Sequence, residues 1–248
     1  MTRPRLRLAA RAVLPYPARE WLRAHRMLFV WPPVGHVRFG ALRRVTPLDG
    51  NFGYGRGQPI DRYYIEAFLA EHAADVRGAA LEFQDDGYLR RFGGAAVTST
   101  DVLNVEPHYP GTTIAADLAM ADGLPVERFD CIVCTGVVQL VYDLEAAVRN
   151  LHRMLRPGGV LLATMPGITR QVDYAGWKDQ WRLTSDSART LFSTVFGAGA
   201  VRVQWYGNPL VAISVLMGLA TEDLERGELD ARHPGFEVLV AVRAVRAG

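Results

Sequence analysis

The sequence predicts an α/β fold centred on a doubly wound, mostly parallel sheet of seven strands. Two observations carry that prediction. Residues 129–166 read as strand, helix and strand with short joints, and such a unit requires parallel strands and a right-handed crossover. Elsewhere, short apolar runs recur at 79–83, 96–100, 112–116, 201–206 and 237–242, separated by turn or helical patterns. Their order also predicts an N-terminal extension, residues 1–45, before the domain of residues 46–248. An insertion is expected between the last two strands.

The central unit is justified residue by residue. Cys131–Cys134 is a short apolar run suited to a strand buried on both faces. Asp143 can cap a helix, because its carboxylate accepts from free backbone N–H groups. Leu144, Ala147, Val148, Leu151 and Leu155 recur at helical spacing and define one buried stripe. Arg153 and Arg156 fall in the expected last turn, where the negative helix end favours cations. Pro157-Gly158-Gly159 is the expected stop, and Val160–Thr164 the next strand. The run from Arg128-Phe-Asp-Cys-Ile-Val-Cys to Leu155-Arg-Pro-Gly-Gly-Val-Leu-Leu resembles the fourth strand, following helix and fifth strand of class I S-adenosylmethionine-dependent methyltransferases, whose fold is Rossmann-like. A looser resemblance runs over residues 51–244.

Length and composition are compatible with that fold. A chain of 248 residues, 49% apolar and 22% charged, buries a sizeable core and is not disordered. A net charge of +2 carries no global polyanion signal. No apolar run reaches the length of about 18–20 residues that a membrane span needs. Met1-Thr-Arg-Pro-Arg-Leu-Arg lacks the apolar core of a signal peptide, so the cytoplasm is the expected compartment. The two cysteines, Cys131 and Cys134, stand three apart in an apolar strand and point to opposite faces. They read as buried structural thiols rather than a redox or metal pair.

Residues 1–45 differ from the rest. Ten arginines face one acid, Glu20, and aromatic and aliphatic residues are interleaved with them. Such a segment suits weak contact with an anionic membrane surface; the alternative is a packed arm with its arginines in solvent, favoured by the interrupting Pro15, Pro17, Pro32 and Pro33.

Residues 51–66 hold three glycines in five positions, followed by Pro59 and a helical stripe of Ile60, Tyr64 and Phe68. This stretch resembles the start of a bacterial, glycosyltransferase-associated methyltransferase subgroup. The resemblance implies that Arg56 or Arg62 pairs the methionine carboxylate of the cofactor S-adenosylmethionine, and that Tyr54, Tyr63 or Tyr64 flanks the sulfonium or the substrate. The bland alternative is a glycine turn before a core helix.

The first strand, Ala79–Phe83, carries Glu82 at the family's acidic position. The following turn departs from the family's Gly-x-Gly-x-Gly: Gln84, Asp86 and Tyr88 stand where glycines are expected. Either the loop takes a different path with Gly87 or Gly93-Gly94 supplying freedom, or cofactor binding is weakened. The second strand, Ala96–Thr100, is expected to end at Asp101, nineteen residues after Glu82, near the spacing at which this architecture offers a carboxylate to ribose hydroxyls. The third, Thr112–Ala116, is expected to end at Asp117-Leu118, which by the resemblance take the adenine amino group and ring. Phe83, Gln84, Tyr88 and Val102 are the flanking cofactor candidates. Each acid could equally be a strand-end cap.

After the fourth strand, Thr135 and Gly136 are expected near the methyl group, with Gln139, Tyr142 and Asp143 as nearby polar groups. The Asn/Asp-Pro-Pro-Tyr/Phe motif of nucleic-acid amino methyltransferases is absent, so no nucleic-acid partner is expected. The loop with Trp177, Trp181 and Arg182 suits a sugar or aromatic acceptor, or a packed loop. The apolar stretch Leu210–Leu219 covers the substrate side or builds a homodimer contact. Catalytic candidates for a hydroxyl acceptor are Asp143, Tyr142 and His36; no metal site is read. The expectation is methyl transfer from S-adenosylmethionine, as O-methylation of a small-molecule or glycan acceptor. The rivals are a degenerate, non-methylating member of the fold, and a membrane-surface or partner-binding module built on residues 1–45.

Overall fold

The computed structural model describes residues 15–25, 30–174 and 177–248; the side chains at 19, 22, 23, 173, 174 and 177 also lie outside the description. Two compact units result, Met1–Val45 and Thr46–Gly248. In the smaller, helix α1 spans Tyr16–Ala24, and a 3-10 turn covers Gly40–Leu42.

The larger unit is built on seven strands: β1 (Gly78–Phe83), β2 (Val97–Asn104), β3 (Ile114–Ala115), β4 (Phe129–Thr135), β5 (Leu155–Pro166), β8 (Val201–Tyr206) and β9 (Leu239–Val245). Their order is β3-β2-β1-β4-β5-β9-β8; β6 (Asp173–Tyr174) and β7 (Trp177–Lys178) form a separate small hairpin. Strands β1 to β5 run parallel, and β9 is antiparallel to both β5 and β8. The chain winds outward from β1 to β3, returns, and winds the other way through β4 and β5. Its switch point is therefore between β1 and β4, where open sheets of this kind present a crevice.

Helices cover both faces. On one, α3 (Leu144–Met154) and α4 (Ser185–Phe196) pack Val148, Leu151, Met154 and Phe192 against Leu81, Ile132, Leu161 and Val242. On the other, α2 (Ile60–Glu71) packs Ile60, Tyr64 and Phe68 against Ala80, Val133, Leu162 and Ala241. Cys134 lies in the first cluster and Cys131 in the second. Burial pushes the Cys131 thiol up to about 12 and raises that of Cys134 further, so both are inert packing atoms at neutral pH.

Several elements end elsewhere than the sequence predicts, two of them with consequences for the site and its supports. Helix α3 stops at Met154, because Leu155 is fully buried and pairs with Phe129. Arg153 lies in its last turn, as expected, and a second cation joins it there: Arg246, from beyond β9, whose Nη1 donates to the carbonyls of His152, Arg153 and Leu155 at 3.4, 3.2 and 2.6 Å. Arg156 lies past the helix and pairs with Asp130 instead. Strand β2 continues three residues beyond Asp101, to Asn104.

The insertion between β8 and β9 contains α5 (Pro209–Leu216), a 3-10 turn and α6 (Arg226–Asp230). It clamps the leading loop, residues 48–59. Leu48 N donates to Met217 O at 2.7 Å, Thr221 N to Gln58 O at 2.9 Å, and Pro59 bridges Ala220. The fit leaves no room for side chains: a Cβ at Gly53 would meet Leu219 O at 2.6 Å, and one at Gly218 would meet Asp49 O at 2.0 Å. Among the described residues, no helix is long and apolar enough to cross a membrane.

Candidate functional site at the carboxyl edge of the sheet

The turn after β1 is the first wall of the crevice. Gln84 adopts φ 71°, the left-handed region that normally calls for glycine. The backbone thus bends as a glycine turn would, with the Gln84 side chain exposed. Asp85 accepts from Gly87 N at 2.8 Å and closes the turn. Glu82 is 3% exposed and faces into this turn, accepting from Leu89 N at 2.9 Å and Tyr88 N at 3.3 Å. Burial pushes its carboxyl up to about 7, against the opposing pull of those two N–H groups. Phe83 ends the strand, packed against the core shared with α3 and α4. Tyr88 turns toward α2, with its hydroxyl accepting from Arg62 Nη1 at 2.9 Å and its ring beside Phe92.

That arrangement corrects the assignment of Arg56. Asp223 holds the Arg56 guanidinium through two bonds, Nε–Oδ2 at 2.8 Å and Nη2–Oδ1 at 2.5 Å. Such a fork-to-fork pair leaves it committed to anchoring the insertion. Arg62 is the arginine beside the β1 turn, and it donates to a phenol rather than to a carboxylate. Tyr54 stands 52% exposed in the leading loop. Tyr63 points away to the insertion, donating to Asp230 Oδ1 at 2.6 Å. It lines a cavity of about 290 Å³ with Tyr64, Tyr206 and Arg232.

The three predicted acidic strand tips do not line one row. Glu82 is absorbed by the turn. Asp101 is mid-strand, paired in register with Leu81, and its carboxylate is taken by Arg128 Nη2 at 2.7 Å and Thr113 Oγ1 at 2.8 Å. Val102 is likewise mid-strand and buried. Asn104 ends the strand, donating to Thr112 Oγ1 at 2.8 Å and to Gln84 O at 3.5 Å. The apolar pair Val102-Leu103, which prolongs the run past Asp101, was the signal for this. Asp117 is exposed and closes a local turn with Ala119 N at 2.8 Å. Leu118 is 3% exposed and belongs to the core.

The opposite wall follows β4. Thr135 pairs with Thr164. Gly136, at φ 66°, donates to Thr164 O at 2.9 Å, and its own carbonyl accepts from Gln139 Nε2 at 2.8 Å. That bond fixes the Gln139 amide, and its buried Oε1 has no partner among the described residues. The Gln139 carbonyl receives Gln180 N and Trp181 N at 3.0 and 3.2 Å, so the 167–184 loop docks on this turn. Trp181 Nε1 donates to Tyr142 O at 3.0 Å, with the two rings 5.7 Å apart. Tyr142 is 76% exposed. Arg182 Nη2 holds Asp179 Oδ2 at 2.8 Å, and Val172 N reaches the same oxygen at 2.5 Å. Asp179 Oδ1 is buried without a partner among the described residues. Arg170 stacks over Phe52 at 4.4 Å and bonds the Gly50 carbonyl, tying this loop to the leading loop.

The structure therefore gathers Gln139, Tyr142, Trp181 and Arg182 and adds Asp179, an acid missed in the sequence. Its only signal was a place three residues before Arg182. The side chain of Trp177 lies outside the described residues. Asp143 caps α3 through Ala146 N at 2.9 Å. His36 lies in the smaller unit, exposed, with Nδ1 3.2 Å from the Val34 carbonyl oxygen.

Residues 88–163 match the family model described as Methyltransferase domain. No curated protein matches the chain. Among solved structures, the chain is similar to a SAM-dependent methyltransferase from Archaeoglobus fulgidus at 10% identity, over 75% of this chain and 94% of that one, with a TM-score of 0.49. It is similar at 14% identity to the N-methyltransferase NodS from Bradyrhizobium japonicum in complex with S-adenosyl-L-homocysteine, over 84% and 95% of the two chains, with a TM-score of 0.47. It is also similar at 12% identity to a phosphoethanolamine N-methyltransferase from Haemonchus contortus in complex with S-adenosyl-L-methionine, with a TM-score of 0.49; the match covers 75% of this chain and 53% of that longer one. The strand order, with β1 to β5 parallel and β9 reversed, makes the fold Rossmann-like.

Proposed function

We propose that this protein transfers a methyl group from S-adenosylmethionine to a hydroxyl of a small-molecule or glycan acceptor. The observation that carries the reading is the matched segment itself: residues 88–163 begin in the β1 turn, run through β4 and its turn, and end in β5, so they border the switch point. The cofactor fits the chain's groups with some reassignment. The left-handed backbone at Gln84 lets main chain approach its amino-acid end, and Arg62 is the cation there for the carboxylate. Asn104, at the end of β2, takes the ribose role expected of Asp101.

When bound, the cofactor supplies an activated methyl group. The chain's own contribution is alignment and exclusion of water. Gln139 Oε1 and Asp179 Oδ1 are two acceptor atoms beside the β4 turn without partners among the described residues, suited to an acceptor's O–H. Trp181 and Tyr142 offer an aromatic surface for a ring.

Titration calorimetry with S-adenosylhomocysteine tests this. A Kd of about 100 μM or tighter is expected, weakened at least about tenfold by Arg62→Ala and unchanged by Arg56→Ala. Silence at millimolar ligand with the wild-type chain overturns the reading. One observation favours a second reading, a member of the fold without methyl transfer: Glu82 and Asp101 are both consumed by internal bonds. That silent titration is its expected result.

A further inference from the structure

Residues 30–45 of the smaller unit present large apolar side chains to solvent at a density unusual for a protein surface. Trp31 is 90% exposed, and Val30, Val34, Val37, Phe39 and Val45 are each more than two-fifths exposed. Single exposed apolar residues are ordinary; six within sixteen positions form an exposed apolar patch along the chain, of the kind that meets a partner. The same sixteen residues carry three arginines, Arg38, Arg43 and Arg44, and no acid. Arg38 and Arg43 lie within the patch, and Arg43 sits over the Phe39 ring at 5.8 Å.

We propose that residues 30–45 dock the protein on an anionic lipid bilayer. Each part of the patch has a place there. Tryptophan favours the headgroup level, and valine and phenylalanine reach the acyl boundary. Arginine is drawn to the negative surface potential. A second copy of the segment is a poor occupant, since three arginines would meet three with no acid between them. A single-stranded nucleic acid would use the aromatic rings and the arginines, but Val30, Val34, Val37 and Val45 have no π-face on which a base can stack. The inference rests on this unit alone and is independent of methyl transfer.

Flotation of the full-length protein with vesicles tests it. Vesicles of phosphatidylcholine containing about 30% phosphatidylserine should carry the protein upward, and phosphatidylcholine alone should not. Raising salt from about 0.1 to about 1 M shortens the screening length from about 10 to about 3 Å and should release much of it. Trp31→Ala should weaken binding about tenfold. Arg38→Gln with Arg43→Gln should weaken it about 30-fold, from roughly fivefold per arginine. These side chains are exposed, and an unchanged thermal midpoint verifies that each variant is folded. Equal flotation with both vesicle types, or variants that float like the wild type, overturns the proposal. So does retention by single-stranded RNA with none on vesicles.

Discussion

Glu82 offers the sharpest test of how the β1 turn is built. Its carboxylate is 3% exposed and accepts two backbone N–H groups of the turn, yet burial lifts its pKa from 4.5 to about 7. Because the folded value lies above the unfolded one, the folded chain holds the extra proton between about pH 4.5 and 7. Stability from this group is present below that window and is lost as pH rises through it. A rise from 4.5 to about 7 corresponds to about 3 kcal/mol. Glu82→Gln keeps an acceptor for the Leu89 N–H but cannot ionise. The variant should therefore gain on the wild type by about 3 kcal/mol between pH 4.5 and pH 8, whatever constant offset separates them in acid. Urea unfolding of both proteins at half-unit steps measures it. A difference that stays flat over that range refutes the reasoning. A variant that loses ground with rising pH would mean that the two N–H groups outweigh desolvation and hold the carboxylate charged.

Three further outcomes follow from single contacts. Gln84→Gly should stabilise the fold by about 0.5–1 kcal/mol, because relief of the left-handed backbone exceeds the added chain entropy; a lower thermal midpoint would count against the glycine-like path. Gly53→Ala should destabilise by about 2 kcal/mol or more, since its Cβ would press on the Leu219 carbonyl at a positive φ, and limited proteolysis should then cut within residues 48–58. Cys131 and Cys134 should resist a thiol reagent at pH 8 in the native protein and both react once it is unfolded; rapid native labelling would show that the central strand opens.

Much of the architecture was legible because it is local. The β4–α3–β5 unit, the Asp143 cap, the α2 stripe of Ile60, Tyr64 and Phe68 and the opposed cysteines each follow from spacing within a dozen residues. Periodicity of 2 or 3.6 says which face is apolar, and burial then does the rest. The site was less legible. Gln139, Tyr142, Trp181 and Arg182 come together around one turn in the structure, whereas Asp179, whose Oδ1 has no partner among the described residues, was passed over. Arg56 was read as a ligand because nothing near it in sequence claims its charge. Its partner, Asp223, is 167 residues away.

The sequence by itself determined the order of strands and helices, the sheet's two buried faces and the departure from glycine at Gln84. These depend on side-chain type and on neighbours along the chain. Only the tertiary structure decided where each element ends and which charges remain available. Arg246 caps α3 from the far end of the chain, Arg128 takes Asp101, and β2 runs on to Asn104. A charged group settles on the best partner within a few ångströms, and that partner is set by how the layers stack.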